Sequence, residues 1–270
     1  MKRPLPIGAR GGVLIATAIA GIVAFVALGL SPSQLVPQRG GLEVVRDFFA
    51  RALSPALSYE STFVPEGTQP IVVKALGAAL QTVVFAAAGM SLALVLGAAL
   101  SVPASQAWGG GVLYGATRTL IALMRSVHEL LWAVLFLAAF GFTPFAAVAA
   151  IAIPYGGTLA KIFSEMIDEA PRGAALALAG AGASRTQMFA FGLVPRALPD
   201  MSAYAFYRFE CAVRASAVLG FFGFETLGYY IRASFENLHY GEVWTYLYTL
   251  FALVVAIDLW SGALRRRFIA

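Results

Sequence analysis

The chain has little of what most soluble catalysts depend on. Charged residues make up 12% of its 270 positions, against about 25% in an average soluble domain. A single cysteine, Cys211, excludes an internal disulfide and any cysteine-based metal cluster. Its apolar surroundings mark it as a small packing residue. There are only two histidines. The first opens HELLW (His128 to Trp132), where Trp132 stands in place of the second imidazole that a zinc-binding HExxH helix requires, so that metal site fails. The other is His239, in a polar loop. No GxxxxGK[ST] phosphate loop is present, so the chain does not hydrolyse ATP itself. No GxSxG elbow accompanies a serine, which leaves a serine-protease reading without support.

What is abundant is apolar surface. The hydrophobic fraction is 60% and the mean hydropathy +0.79. Such an excess must be solvated by lipid, and a span needs about 20 residues, so the chain has room for roughly six spans and one substantial polar loop. The net charge of +5 needs no nucleic acid to explain it. Basic residues collect in the N-tail, between Lys161 and Arg196, and at Arg265 to Arg267, the pattern of cytoplasmic ends. Both termini inside requires an even number of spans.

In chain order, an apolar run from Gly11 to Leu30 follows MKRPLPIGAR. It reads as a retained first helix, with a signal peptide as the competing reading. Ser31 to Gln69 is polar and broken by Pro32, Pro37, Pro55 and Pro65, with a short amphipathic helix at Leu42 to Leu53. Pro70 to Val102 is a small-residue span, Val112 to Phe140 the next, and Phe145 to Leu159 the one after, bent at Ile153 to Gly157. Met201 to Phe222 and Val243 to Leu264 are the last two, separated by an outer loop.

Lys161 to Asp200 is the polar interruption around which the chain is organised. Its charges cannot face lipid tails, so it must lie outside the bilayer or be covered by protein. Its small residues from Ala177 to Ala183 suit a close fit against another protein, with Gly182 permitting a sharp turn. Ionisable groups also occur inside the apolar segments: Arg125, His128 and Glu129 on one, and Tyr207, Arg208, Glu210 and Arg214 on another. Tyr207, Glu210 and Arg214 share a helical face, with Glu210 and Arg214 in the favourable i, i+4 order. Two readings stay open for them, an ion-pair network holding the bundle and an arginine-lined path for an anion.

The segment GAS-R-x-Q-x-x-x-x-G-x-x-P (Gly182 to Pro195) resembles the cytoplasmic EAA loop of ABC-importer permeases. With RS-x-x-EL-x-W (Arg125 to Trp132) and YRFE-x-x-VRA-x-x-VLG (Tyr207 to Gly220), it is most similar to permeases of the phosphonate importer family. The resemblance implies an all-α polytopic membrane protein with six transmembrane helices and a type I ABC importer permease (MetI-like) core. It divides the chain at residue 70. Residues 1–70 hold the first helix and an extracytoplasmic segment, and residues 71–270 a five-helix core with the coupling loop 161–200. It further implies a homodimer in the bacterial inner membrane, a cytoplasmic ABC ATPase dimer that binds the ATP and Mg, and an extracytoplasmic phosphonate-type binding protein. No cofactor is expected in this chain, and no nucleic-acid partner. The cargo is phosphonate or a related phosphorus oxyanion.

The coupling residues carried over are Leu176, Ala177, Gly180, Gly182, Ala183, Ser184, Arg185 and Pro195. Leu176 stands where the family places its docking glutamate, so that charge is supplied by Glu165, Asp168 or Glu169, or dispensed with. The outer turn FFGFETLGYY (Phe221 to Tyr230) also departs from the family pattern. The rival reading is an ion-coupled secondary transporter, with Asp258 as its lone coupling acid.

Overall fold

A computed structural model describes residues 7–29, 31, 40–61, 65 and 67–269. Lys2, Arg3, Pro32, Pro37, Arg39 and Glu66 lie outside the described residues. Contacts divide the chain into two compact units, 1–50 and 51–270. The first contains α1 (Ile7–Ala27) and α2 (Gly41–Ala50).

The second unit is built on two long helices, α3 (Ile71–Ala104) and α6 (Pro144–Glu169). Both carry glycine and alanine where they meet. A Cβ at Gly97 would stand 2.6 Å from Leu159 Cβ, and one at Gly89 would stand 2.9 Å from Ile151. Without a hydrophobic drive between helices in lipid, close backbone approach of this kind is what holds spans together. Phe85, Met90, Ile151, Leu159, Phe163 and Val213 form the centre of the core.

The segment Ile153 to Gly157 does not interrupt α6. Pro154 sits inside an unbroken helix, and the two glycines that follow serve contact: Gly156 admits Leu96 and Gly157 admits Met124 and the stem of Arg125. The helix continues past Leu159 to Glu169, because the charges met on the way find partners within the protein.

Val112 to Phe140, predicted as one span, is two helices. They are α4 (Gly111–Ser126) and α5 (Glu129–Phe140), bent by 91°. Val127 and His128 are extended at the break, and the His128 ring caps α5 by accepting from the Leu130 N–H at 3.3 Å.

After α7 (Gly173–Gly180), the short α8 (Arg185–Gln187) runs through a π-helical stretch, Met188–Leu193, into α9 (Val194–Val218). Pro195 lies in the first turn of α9 and Pro199 inside it, so neither interrupts the return into the membrane.

The predicted outer loop contains a helix, α10 (Leu227–Glu236), bent by 45° from the α8–α9 segment. Gly220 and Gly228 let the two backbones touch there, and Thr226 Oγ1 donates to Ala217 O at 3.0 Å. The last helix, α11 (Tyr240–Ile269), lies at the rim. Three helices, α3, α6 and α11, are long and apolar enough to cross a membrane singly, and counting each bent pair as one span gives up to five. The described apolar part of α1, Gly11–Ala27, falls short of that length, so the expected six is not reached among the described residues.

Candidate coupling end and bundle interior

At one end of the bundle α6, α7 and α8 gather around the turn between α3 and α4. Asp168, near the end of α6, accepts from Ser105 Oγ at 2.6 Å and from the backbone N–H groups of Gln106 and Ala107, each at 3.1 Å. The carbonyls of the same turn are taken by Arg185: its Nε donates to Ala107 O at 3.1 Å and its Nη2 to Gln106 O at 3.5 Å. Trp108 from the turn packs against Phe189, ring centroids 6.0 Å apart. One carboxylate and one guanidinium thus grip the two polar faces of a single turn. The start of α8 and the end of α6 are tied to α3 through it.

The hairpin joining α7 to α8 follows from its sequence. The Ala183 N–H donates to Leu178 O and the Gly182 N–H to Ala179 O, each at 3.0 Å, with Gly182 at φ 81°. This is a Schellman stop, which favours glycine at that position. Ser184 then opens α8 with a capping box: its hydroxyl accepts from the Gln187 N–H, and the Gln187 side chain accepts from the Ser184 N–H at 2.8 Å. The S-x-x-Q spacing that makes this box is visible in the sequence. Gly192 lets the π stretch lie against Ala175 of α7. Leu176, Ala177 and Gly180 all remain exposed.

Two of the three acids expected to stand in for the docking glutamate are engaged inside the chain. Asp168 holds the turn, and Glu165 pairs with Lys161 at 3.0 Å and Arg118 at 3.5 Å. Glu169 is exposed and lines a cavity of about 510 Å³ with Arg196, Asp200 and Tyr204.

Inside the bundle the sequence-predicted groups separate. The expected Glu210–Arg214 pair is replaced by a tertiary one: Glu210, nearly buried on α9, meets Arg265 of α11 at 3.0 Å. The Arg214 Nη2 instead donates to Cys211 Sγ at 3.4 Å, and Arg214 lines a cavity of about 240 Å³ with Glu210 and Asp258. Tyr207 is exposed. His128 lies 3.5 Å from Glu129, while Arg125 is exposed.

Arg208 faces the other way, toward α6, with its guanidinium 4.6 Å from the centroid of the Tyr155 ring. Its Nε is buried and has no hydrogen-bond partner. The Tyr155 hydroxyl lies within electrostatic reach of Glu129, Arg208 and Arg214, and that of Tyr204 within reach of Arg208 and Arg125. Sequence reasoning missed Tyr155 and Tyr204. Tyr204 lies one turn before Arg208, a helical spacing that could have found it.

Long apolar helices in close small-residue contact, with a capped hairpin fastened to their ends, define a multi-pass membrane protein. The sequence over residues 89–270 matches the family described as "Binding-protein-dependent transport system inner membrane component", and the chain belongs to that family. It is 33% identical over 193 residues to the phosphite transport system permease protein PtxC of Stutzerimonas stutzeri, covering 70% of this chain and 69% of that one. It is also 30% identical over 263 residues to the phosphate-import permease protein PhnE of Mycolicibacterium smegmatis, covering 96% of this chain but 46% of the relative. The fold is that of the MetNI methionine ABC transporter in an inward-facing form, at a TM-score of 0.64 and 19% identity, covering 74% of this chain and 99% of that one.

Proposed function

We propose that the chain is the permease of an ATP-driven importer for phosphonate or a related phosphorus oxyanion such as phosphite or a phosphate ester. The observation that carries this reading is its likeness to phosphite and phosphate permeases across the segments that build the hairpin and the α9 arginines. A cytoplasmic ABC ATPase dimer, holding the ATP and Mg, seats against α7. The hairpin is the coupling element, with Arg185 and Asp168 tying it and α6 to the α3–α4 turn, Glu165 and Pro195 on the flanking helices, and Leu176, Ala177, Gly180, Gly182, Ala183 and Ser184 forming its outer surface. With Asp168 and Glu165 engaged internally, docking relies on the apolar exposed face of α7, with Glu169 beside it.

Motion of the hairpin passes through Arg185 to the α3–α4 turn, and through Asp168 from that turn to α6. Such a linkage moves two central helices together, as alternating access requires. A binding protein delivers cargo at the α10 end. Both termini and the hairpin lie on the cytoplasmic side of the bacterial inner membrane, and residues 71–270 form the permease core. Arg125, His128, Glu129, Tyr207, Arg208, Glu210 and Arg214 border the path. Arg214 and Asp258 are exposed on apolar helices of one face. Ionisable groups there face protein or water and not lipid, which supports a second copy of the chain covering them.

The test is co-expression with the ATPase and binding protein, followed by purification and uptake of radiolabelled phosphite and methylphosphonate. Wild type should retain the ATPase and take up label, and Gly182→Asp should lose both. Uptake that persists without any ATPase would overturn the reading and make Asp258 the residue to examine.

A further inference from the structure

Several charges at the α7 end and on α9 are engaged within the chain, and Arg208 has no carboxylate among the described residues. Glu210 is committed to Arg265, Glu129 lies against His128, Glu165 holds Lys161 and Arg118, and Asp168 holds the turn. No carboxylate among the described residues pairs with Arg208, and its buried Nε donates to nothing. Among the described residues, its guanidinium stacks on the Tyr155 ring. A cation over an aromatic face gains about 0.5–2 kcal/mol. Arg208 is half-buried, and stacking on Tyr155 leaves its charge without a counter-ion, which an anion would supply.

The surroundings suit one class of anion. The two tyrosines beside Arg208, Tyr155 on α6 and Tyr204 on α9, bring hydroxyl donors, and a guanidinium matches a pair of oxygens on one phosphorus. Tyr204 also lines the cavity of about 510 Å³ at the α7 end, together with Glu169, Arg196 and Asp200, and Arg208 follows it by one helical turn along α9. The other face of α9, with Glu210 and Arg214, is turned toward α11.

We propose that Arg208, flanked by Tyr155 and Tyr204, is an oxyanion-binding site inside the bundle, where a small phosphorus oxyanion rests between the membrane interior and the α7-end cavity. The Glu210–Arg265 pair is then a structural tie and not part of this site. The inference rests on the importer reading for its biological sense, but its chemistry can be tested without an ATPase.

The experiment measures the melting temperature of the detergent-solubilised full chain with sodium phosphite, inorganic phosphate, sulfate or chloride at matched ionic strength. Wild type should be stabilised by phosphite or phosphate over chloride. Arg208→Gln should abolish that shift, and Arg208→Lys should keep part of it, because charge remains while the planar fork is lost. Should Arg208→Gln fail to fold, a reduced shift in Arg208→Lys supports the site and an undiminished one overturns it. A wild-type protein with no shift, or an Arg208→Gln variant that shifts as wild type does, would likewise overturn the site. Proteoliposome uptake with the ATPase and binding protein separates the two readings. A wild type that binds phosphite yet shows no ATP-driven uptake would sink the importer reading and leave this site standing.

Discussion

The two ends of the bundle are fastened by different means. At the α7 end, Asp168 and Arg185 join residues far apart in sequence through the backbone of one turn, and the hairpin beyond them stays exposed. At the α10 end, the segment from Arg51 to Ser61 is strapped across the start of α11. The Ala56 N–H donates to Gly241 O at 3.0 Å, the Glu60 N–H to Glu242 Oε1 at 2.8 Å, and the Gly241 N–H to Glu60 Oε2 at 3.1 Å. Ser234 Oγ adds a bond to the other Glu242 oxygen at 2.9 Å. The first arrangement links elements that can move together. The second closes one end with a buried carboxylate. Their difference separates transmission of force from simple retention of structure.

The sharpest way to break the comparison is Asp168→Ala. Three donors lose one acceptor, and each unmet donor costs about 1–3 kcal/mol where water cannot reach it. Because the turn lies at the rim and water replaces part of the loss, a destabilisation of about 2–4 kcal/mol is expected. Thermal melting of the purified chain measures it. The more telling readout is ATP-driven uptake at a temperature where the variant is folded. Uptake should fall at least tenfold while the ATPase still co-purifies, because docking sits on α7 and the lost link lies behind it. Unchanged uptake would show that force reaches α3 by another route.

Glu242→Ala tests the opposite end with a smaller effect. Two donors, the Glu60 N–H and Ser234 Oγ, lose their acceptor, and His239 loses a carboxylate 3.7 Å away. Melting should drop by an amount corresponding to about 1–3 kcal/mol. Uptake per folded molecule should change less than in Asp168→Ala. Equal loss of uptake in the two variants would erase the distinction between the ends.

Much of this organisation was legible in the chain, and the illegible parts share a cause. Hydropathy and the Gly182–Pro195 motif pointed to a helical permease, and the Gly182 turn follows from local rules that depend on a few neighbouring residues. The 91° break between α4 and α5 was hidden because Arg125, His128 and Glu129 read as polar groups within one span, whereas the break falls among them, on two extended residues and a histidine cap. The Arg265 partner of Glu210 was hidden because the i, i+4 rule offered Arg214 first, and a tertiary contact won. The hub at Asp168 depends on Ser105, 63 positions away, which no local pattern reveals. Sequence spacing thus located the charged groups without saying which of them meet.

The smallest expected effect sharpens the comparison from the side of pH. Tyr59 lies before α3, where its hydroxyl donates to Gln69 O at 2.9 Å and the Lys74 ammonium sits 5.7 Å from its ring centroid. Burial, and then the nearby Glu242 carboxylate, hold its phenol above the ordinary tyrosine value. A group whose proton is held more tightly in the folded chain adds stability at pH values below the unfolded value, about 10. That contribution disappears as pH rises through the higher folded value. Alkaline melting curves of wild type should therefore bend downward above about pH 10, and Tyr59→Phe should flatten part of that bend while changing little at neutral pH. Glu242→Ala should move the bend in the same direction but less far, because it removes only the second cause. If neither variant alters the alkaline limb, ionisation of Tyr59 takes no part in the stability of the α10 end.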